Sequence, residues 1–259
     1  MEISIVAEPL FSIAGFTVTN SLFMAIVVSF FGFIAVFLLI QPKKFTMVPK
    51  GAQNVIEAIF EGLLSFMEGI TQNRRQATQF FPLVATIFLF VLFSNWSGLL
   101  PGAGTIGLHE MNGGKVMFIP IMRSPSADLN MTVALSLISV FSVQLFGILA
   151  LGLRGYASKF FVAPWKAPYV VGTAVGLLEL IGEGAKVLSF SFRLFGNVFA
   201  GEVLLTVMLS LVPYLVPLPF LVMELFVGVV QAGIFSLLTI VFLKMATAEH
   251  EAHEAHEAH

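Results

Sequence analysis

Residues 169–211 read YVVGTAVGLLELIGEGAKVLSFSFRLFGNVFAGEVLLTVMLSL. As one helix they extend about 65 Å, twice the roughly 30 Å hydrocarbon thickness of a bilayer. Among the apolar residues stand Glu179, Glu183, Lys186, Arg193 and Glu202. A charge at the bilayer centre costs roughly 2.5–3.5 kcal/mol on insertion scales, so such residues face protein, a watery path or one another. The plain alternative to function is internal ion pairing. Lys186 suits it: Glu183 and Glu179 precede it on the same helix face, which predicts a structural ion pair. Arg193 has no acid three or four residues away. Its guanidinium keeps its proton, so it needs an anion from another element or another chain. On a straight helix Glu179 lies about 21 Å to one side of Arg193 and Glu202 about 13 Å to the other. Titratable groups thus flank one fixed cation, as two half-channels separated by an electrostatic barrier require.

Outward from this stretch, four more runs read as membrane crossings: Ser21–Ile40, Phe80–Leu100, Asp128–Leu153 and Phe220–Lys244. Pro213, Pro217 and Pro219 break the chain before the last of them, which carries Glu224 and Gln231 on one face. Gly51–Asn73 differs. Val55, Ile56, Ile59, Phe60, Leu63, Phe66, Met67 and Ile70 recur at helical spacing opposite Glu57, Glu61 and Glu68. That pattern fits an amphipathic helix in the membrane interface, and equally a helix packed on protein. Residues 101–127 read as a Gly- and Pro-rich loop, 154–168 as a basic connection, and 245–259 as a polar His/Glu-rich tail. The expectation is one all-α integral membrane domain over residues 1–259, with about five transmembrane helices, one interfacial helix and no large repeat.

Composition agrees. Of 259 residues, 58% are hydrophobic and 11% charged, against roughly a quarter charged in soluble domains. The net charge of −2 and the absence of Cys argue against nucleic-acid binding, disulfides and thiolate metal sites. Basic residues set the orientation. Lys43, Lys44, Lys50, Arg74, Arg75, Arg154, Lys159, Lys166 and Lys244 fall on one side, and Lys115 and Arg123 on the other. The N-terminus is therefore expected outside and the C-terminus inside. Glu2 and Glu8 precede the first apolar run without Lys or Arg, so no secretory signal or targeting extension is expected.

Catalytic motifs are missing. Lys115 follows Gly113-Gly114 without the remainder of a phosphate-binding loop, and there is no G-x-S-x-G elbow. His250, His253, His256 and His259 are three apart, not at the spacing of a helical zinc site, and are expected on a solvated tail. His109 is expected to be a surface residue. No metal and no cofactor are expected, and the chain is not expected to be an enzyme on its own.

The run Phe192-Arg193-Leu194-Phe195-Gly196-Asn197, followed by Ala200-Gly201-Glu202, resembles the signature of subunit a of F-type ATP synthases. Pro125-Ser126-Ala127-Asp128-Leu129-Asn130, Asn95 through Pro101, and Gln231-Ala232-Gly233-Ile234-Phe235 leading to Leu238-Thr239-Ile240 resemble it too, over roughly residues 20–248. The resemblance implies that Arg193 is the essential cation facing a ring of c subunits. It implies that Asn197, Glu202, Glu224 and Gln231 serve the outer half-channel, and that Glu179, with Glu183, serves the inner one. It also implies that the last two membrane helices form a long tilted hairpin against the ring. The implied partners are the c-ring, the b subunits of the peripheral stalk and lipid, with no nucleotide bound directly. The implied location is a bacterial plasma membrane in preference to an organelle membrane. Where some members carry an acid, this chain has Gly98, which leaves Asp128 and Glu110 as candidates for the outer entrance. A competing reading is an independent ion-coupled transporter, which would usually carry a repeat.

Overall fold

In a computed structural model, residues 6–13, 15–39, 52–112, 115–160, 169–212 and 215–257 are described. Six helices dominate: α1 (Asn20–Leu39), α2 (Ala52–Thr71), α3 (Arg74–Ser97), α4 (Leu129–Phe160), α5 (Tyr169–Leu211) and α6 (Pro217–Glu257). Stretches of α3, α4, α5 and α6 are long and apolar enough to cross a membrane. The 20 residues of α1, about 30 Å, match one bilayer core. The chain is thus an all-α membrane protein. The apolar part of α5, Gly176–Leu211, has 36 residues. At about 54 Å it is longer than the hydrocarbon core is thick.

Local chemistry explains the boundaries. Asn73 caps α3, its side-chain oxygen accepting from the backbone N–H of Arg75 at 2.9 Å and of Gln76 at 3.4 Å. At the end of α2, Lys244 of α6 donates to the Ile70 carbonyl at 2.8 Å, a cation on otherwise unpaired helix carbonyls. Arg74 bridges Glu61 at 2.8 Å and Glu68 at 2.9 Å, which ties α2 to the start of α3. The apolar stripe of α2 divides: Met67 is fully buried, while Ile59 and Phe66 are exposed. Near its end α4 turns at Gly152, where φ is +74°. The returning chain lays Tyr156 on Gly147, where a Cβ would collide with the ring, and bonds its hydroxyl to Gln144.

Two core clusters stack along α3 and α6. One joins Met67, Phe80, Val84, Val143, Ile240 and Leu243. The other joins Ile87, Val91, Phe190, Leu194, Ala232 and Phe235. The second fixes the rotation of α5: Phe190, Ser191 and Leu194 are buried, so their neighbours Phe192 and Arg193 face outward.

Three regions differ from the sequence reading. The expected loop 101–127 contains an antiparallel hairpin, β3 (Gly107–Asn112) with β4 (Lys115–Pro120). A second hairpin, β1 (Pro9–Ile13) with β2 (Phe16–Thr19), precedes α1. Both are too short for a periodicity signal to register. The tail continues α6 as helix through Glu257; Ala and Glu favour that state. Lys43, Lys44, Lys50 and Lys166 lie outside the described residues, as do the side chains of residues 248–259.

Candidate functional site

The polar face of α6 is held in register by α3. Asn95 Nδ2 donates to the Gly228 carbonyl at 3.1 Å and Trp96 Nε1 to the Leu225 carbonyl at 3.2 Å. Gly228 permits this approach, since a Cβ there would sit 3.2–3.3 Å from both side chains. One turn above and one below these contacts lie Glu224 and Gln231. Facing them on α5 is Gly201, and a Cβ at that position would overlap the Glu224 carboxylate. Glycine is thus what lets the Glu224 carboxylate lie against the backbone of α5. Further along the same seam, Asn197 Nδ2 donates to Gln231 Oε1 at 2.8 Å. Gln231 is 2% exposed, and its own amide nitrogen has no partner among the described residues.

Glu202 lies on the next part of α5 and faces Arg123, with Nε to Oε2 at 3.6 Å. Arg123 is buried and donates to the Val6 carbonyl at 3.1 Å and the Ala127 carbonyl at 3.5 Å. A cavity of about 300 Å³ joins these groups, room for about ten waters at liquid density. Asn95, Gly98, Arg123, Ser124, Glu202, Glu224 and Gln231 all line it. Three of the residues expected to act together, Glu202, Glu224 and Gln231, thus line one cavity, and the fourth, Asn197, bonds to Gln231 at one end of it.

Arg193 lies outside that cavity. It is exposed on α5 and donates to Ser189 Oγ at 3.3 Å. Among the described residues it makes no ion pair. It precedes Asn197 by one helical turn, so the free cation begins where the polar seam ends. On the far side, Lys186 Nζ is 2.6 Å from Glu183 Oε1 and 4.7 Å from the Phe242 ring centre, a cation over an aromatic face. Glu179 is half-buried on the same helix. Glu179, Glu183 and Lys186 are not among the residues that line the cavity at Glu202.

Of the two candidates for the missing outer acid, the structure describes the side chain of Asp128. Asp128 is buried and accepts from the Asn130 N–H at 2.9 Å, while its carbonyl accepts from the Thr132 N–H at 3.1 Å. It starts α4 and does not line the cavity. The side chain of Glu110 lies outside the described residues. A Cβ at Gly98 would stand 3.0 Å from that of Ser124, so a longer side chain there would need the loop to shift. Sequence reading passed over Arg123, although it was one of two cations on the side that basic residues avoid. It also passed over Glu8, whose carboxyl is pushed up by burial and pulled back by Arg123. Among the described residues no three acidic or His side chains gather as metal ligands.

Comparison with known proteins gives a consistent result. The family described as ATP synthase A chain matches residues 21–244. A protein of Moorella thermoacetica named ATP synthase subunit a is 35% identical, over 78% of this chain and 79% of its own length. One of the same name from Syntrophobacter fumaroxidans is 38% identical, over 79% and 75%. Another, from Gloeobacter violaceus, is 38% identical over 82% and 78%.

Proposed function

This chain belongs to the ATP synthase A chain family, subunit a of the membrane sector of F-type ATP synthase, and from that premise we propose that it is the stator which passes protons through two offset half-channels to a ring of c subunits. The observation that carries this reading is the polar cavity ending at the Asn197–Gln231 bond, one turn from the exposed Arg193. Each ring subunit presents a carboxylate. Neutral, it can face lipid; ionised, it is costly there. Arg193 attracts the ionised form at the interface and favours proton loss. A proton arriving through Glu202 and Glu224 neutralises the carboxylate, and that subunit turns into lipid. Another, nearly a full turn ahead, releases its proton toward Glu179 and Glu183. Arg193 keeps protons from passing straight between the paths. Each crossing yields about 2.3 kcal/mol per 100 mV.

In this reading the chain is non-catalytic and binds no nucleotide. It sits in a bacterial plasma membrane with its N-terminus outside, beside the c-ring and the peripheral stalk. Lys186 locks Glu183 in place as a structural pair. The His/Glu-rich residues 245–259 form a polar extension of the single membrane domain, on the inner side. A transporter of independent function would work without a ring, and no observation favours it.

The test is ATP-driven acidification of inverted vesicles carrying Arg193→Ala. Pumping is expected to vanish while assembled complex remains, with a larger passive proton leak. Normal coupled pumping by a stably assembled variant would make Arg193 a structural residue and sink the reading.

A further inference from the structure

We propose that Glu8 is the proton-collecting acid at the outer mouth of the cavity, relaying protons to Glu202 around the guanidinium of Arg123; this rests on the half-channel reading above. The position of Glu8 is built, not incidental. Its carbonyl accepts from the Asn20 N–H at 3.0 Å, and Pro9 pairs with Thr19 across the first hairpin. Asn20 is fully buried and donates through Nδ2 to the Pro120 carbonyl at 3.1 Å. Two residues before Glu8, the Val6 carbonyl takes Arg123 Nη1 at 3.1 Å. The chain over 6–8 is therefore pinned on both sides of one buried cation. Residues two apart in extended chain are about 6.6 Å apart, which keeps the Glu8 carboxyl near the guanidinium that its neighbour contacts.

Arg123 then has acids from two elements. Glu202 of α5 stands at 3.6 Å, and Glu8 acts on both Arg123 and Glu202 through its charge. Two carboxylates around one permanent cation carry net charge −1 when both are ionised and are neutral with one proton bound. Partial burial disfavours the excess negative charge, so the cluster is disposed to take up one proton. Glu8 is half-exposed and Glu202 lines the cavity, so a proton taken by the first can reach water beside the second. This arrangement fills the role that Gly98 leaves empty, from a different part of the chain. A purely structural Glu8 would make the same contacts, yet removing its charge would alter assembly and not proton affinity.

The experiment is ATP synthesis by the purified whole synthase in proteoliposomes. It is driven by imposed proton gradients over a range of pH on the outer-mouth side and expressed per assembled complex. Glu8→Gln is expected to raise the proton concentration for half-maximal synthesis roughly tenfold, the equivalent of one pKa unit, with the maximal rate kept. Glu8→Asp is expected to restore most of the difference. An unchanged half-saturation in assembled Glu8→Gln overturns the proposal. If Glu8→Gln fails to assemble, Glu8→Cys in this cysteine-free chain is modified after assembly. Iodoacetate restores a carboxylate and is expected to restore uptake, while iodoacetamide adds a neutral amide of similar size and is not. Equal rates with the two reagents overturn the proposal. Arg193→Ala measured alongside separates the two readings: continued synthesis there defeats the half-channel reading itself, whereas loss there with Glu8→Gln unaffected defeats only the role of Glu8.

Discussion

The outer and inner halves of α5 carry comparable acids in very different surroundings. Around Glu202 the chain builds walls: α3 supplies Asn95 and Trp96, the segment before α4 supplies Arg123 and Ser124, and α6 supplies Glu224 and Gln231. Around Glu179 and Glu183 the neighbours Leu177, Leu178, Leu180 and Ile181 stand exposed. In the most apolar 18-residue window of each helix, 17% of α5 is buried against 44% of α3. An acid inside a membrane needs a polar path to water or a paired charge. The outer acids find theirs within this chain. Glu183 has its counter-charge in Lys186 of the same helix and stands beside an exposed apolar surface, and Arg193 marks where the enclosed part stops. In the proposed mechanism the outer path is thus a property of this subunit, and the inner path a property of its contact with the ring.

The sharpest way to break that contrast is to neutralise one acid on each side. Glu202→Gln is expected to slow gradient-driven synthesis roughly tenfold or more, because it removes a relay acid and half of the counter-charge of a buried arginine. Glu183→Gln, which leaves Glu179 as an inner acid, is expected to change it less than about twofold, well below the one-pKa-unit scale. Rates per assembled complex decide the matter. Equal losses on the two sides would mean that the inner path is as narrowly defined as the outer one.

A smaller effect sharpens the comparison sterically. Gly201→Ala places a methyl where the Glu224 carboxylate lies. That carboxylate is the end of a flexible side chain, so it swings aside and the fold survives. Synthesis is expected to fall several-fold, in line with about 1 kcal/mol of overpacking, with the amount of assembled complex unchanged. Gly184→Ala on the inner half meets nothing within 4 Å in this chain. A comparable loss there would show that the partner approaches α5 at Gly184 as closely as Glu224 does at Gly201.

Most of the helical architecture was legible because bilayer crossings are long and apolar, and the signal accumulates over twenty residues. The outer group was legible in part, since Glu202, Glu224 and Gln231 are conspicuous in an apolar run. Arg123 was not read as their partner because it sits in an irregular stretch some eighty residues from Glu202, and only tertiary folding brings them together. Asp128 was misjudged for the opposite reason: an acid beside a membrane helix looks available, yet its oxygen is used on the backbone N–H of Asn130. The hairpins escaped notice because four to six residues give too few alternations to stand out.

The subtlest prediction concerns the first hairpin, which follows the segment tied to the cavity through Arg123. Burial raises the affinity of Glu8 for its proton more than Arg123 lowers it. The folded value therefore lies above the unfolded one. A group shifted in that direction contributes stability that is fully present below the unfolded value and lost as pH rises through the folded value. Docking of residues 6–19 is thus expected to be tighter in mild acid than near neutrality. Limited proteolysis of the assembled complex at several pH values, referenced to cleavage of an unfolded peptide of the same sequence, measures it. Glu8→Gln, neutral throughout, is expected to flatten the dependence and to hold the hairpin at least as firmly as wild type near neutrality. The same substitution is expected to weaken proton uptake. A variant that is better docked and less able to collect protons separates a relay acid from a structural one, because a residue kept only for docking beside Arg123 would lose docking and leave proton affinity unchanged.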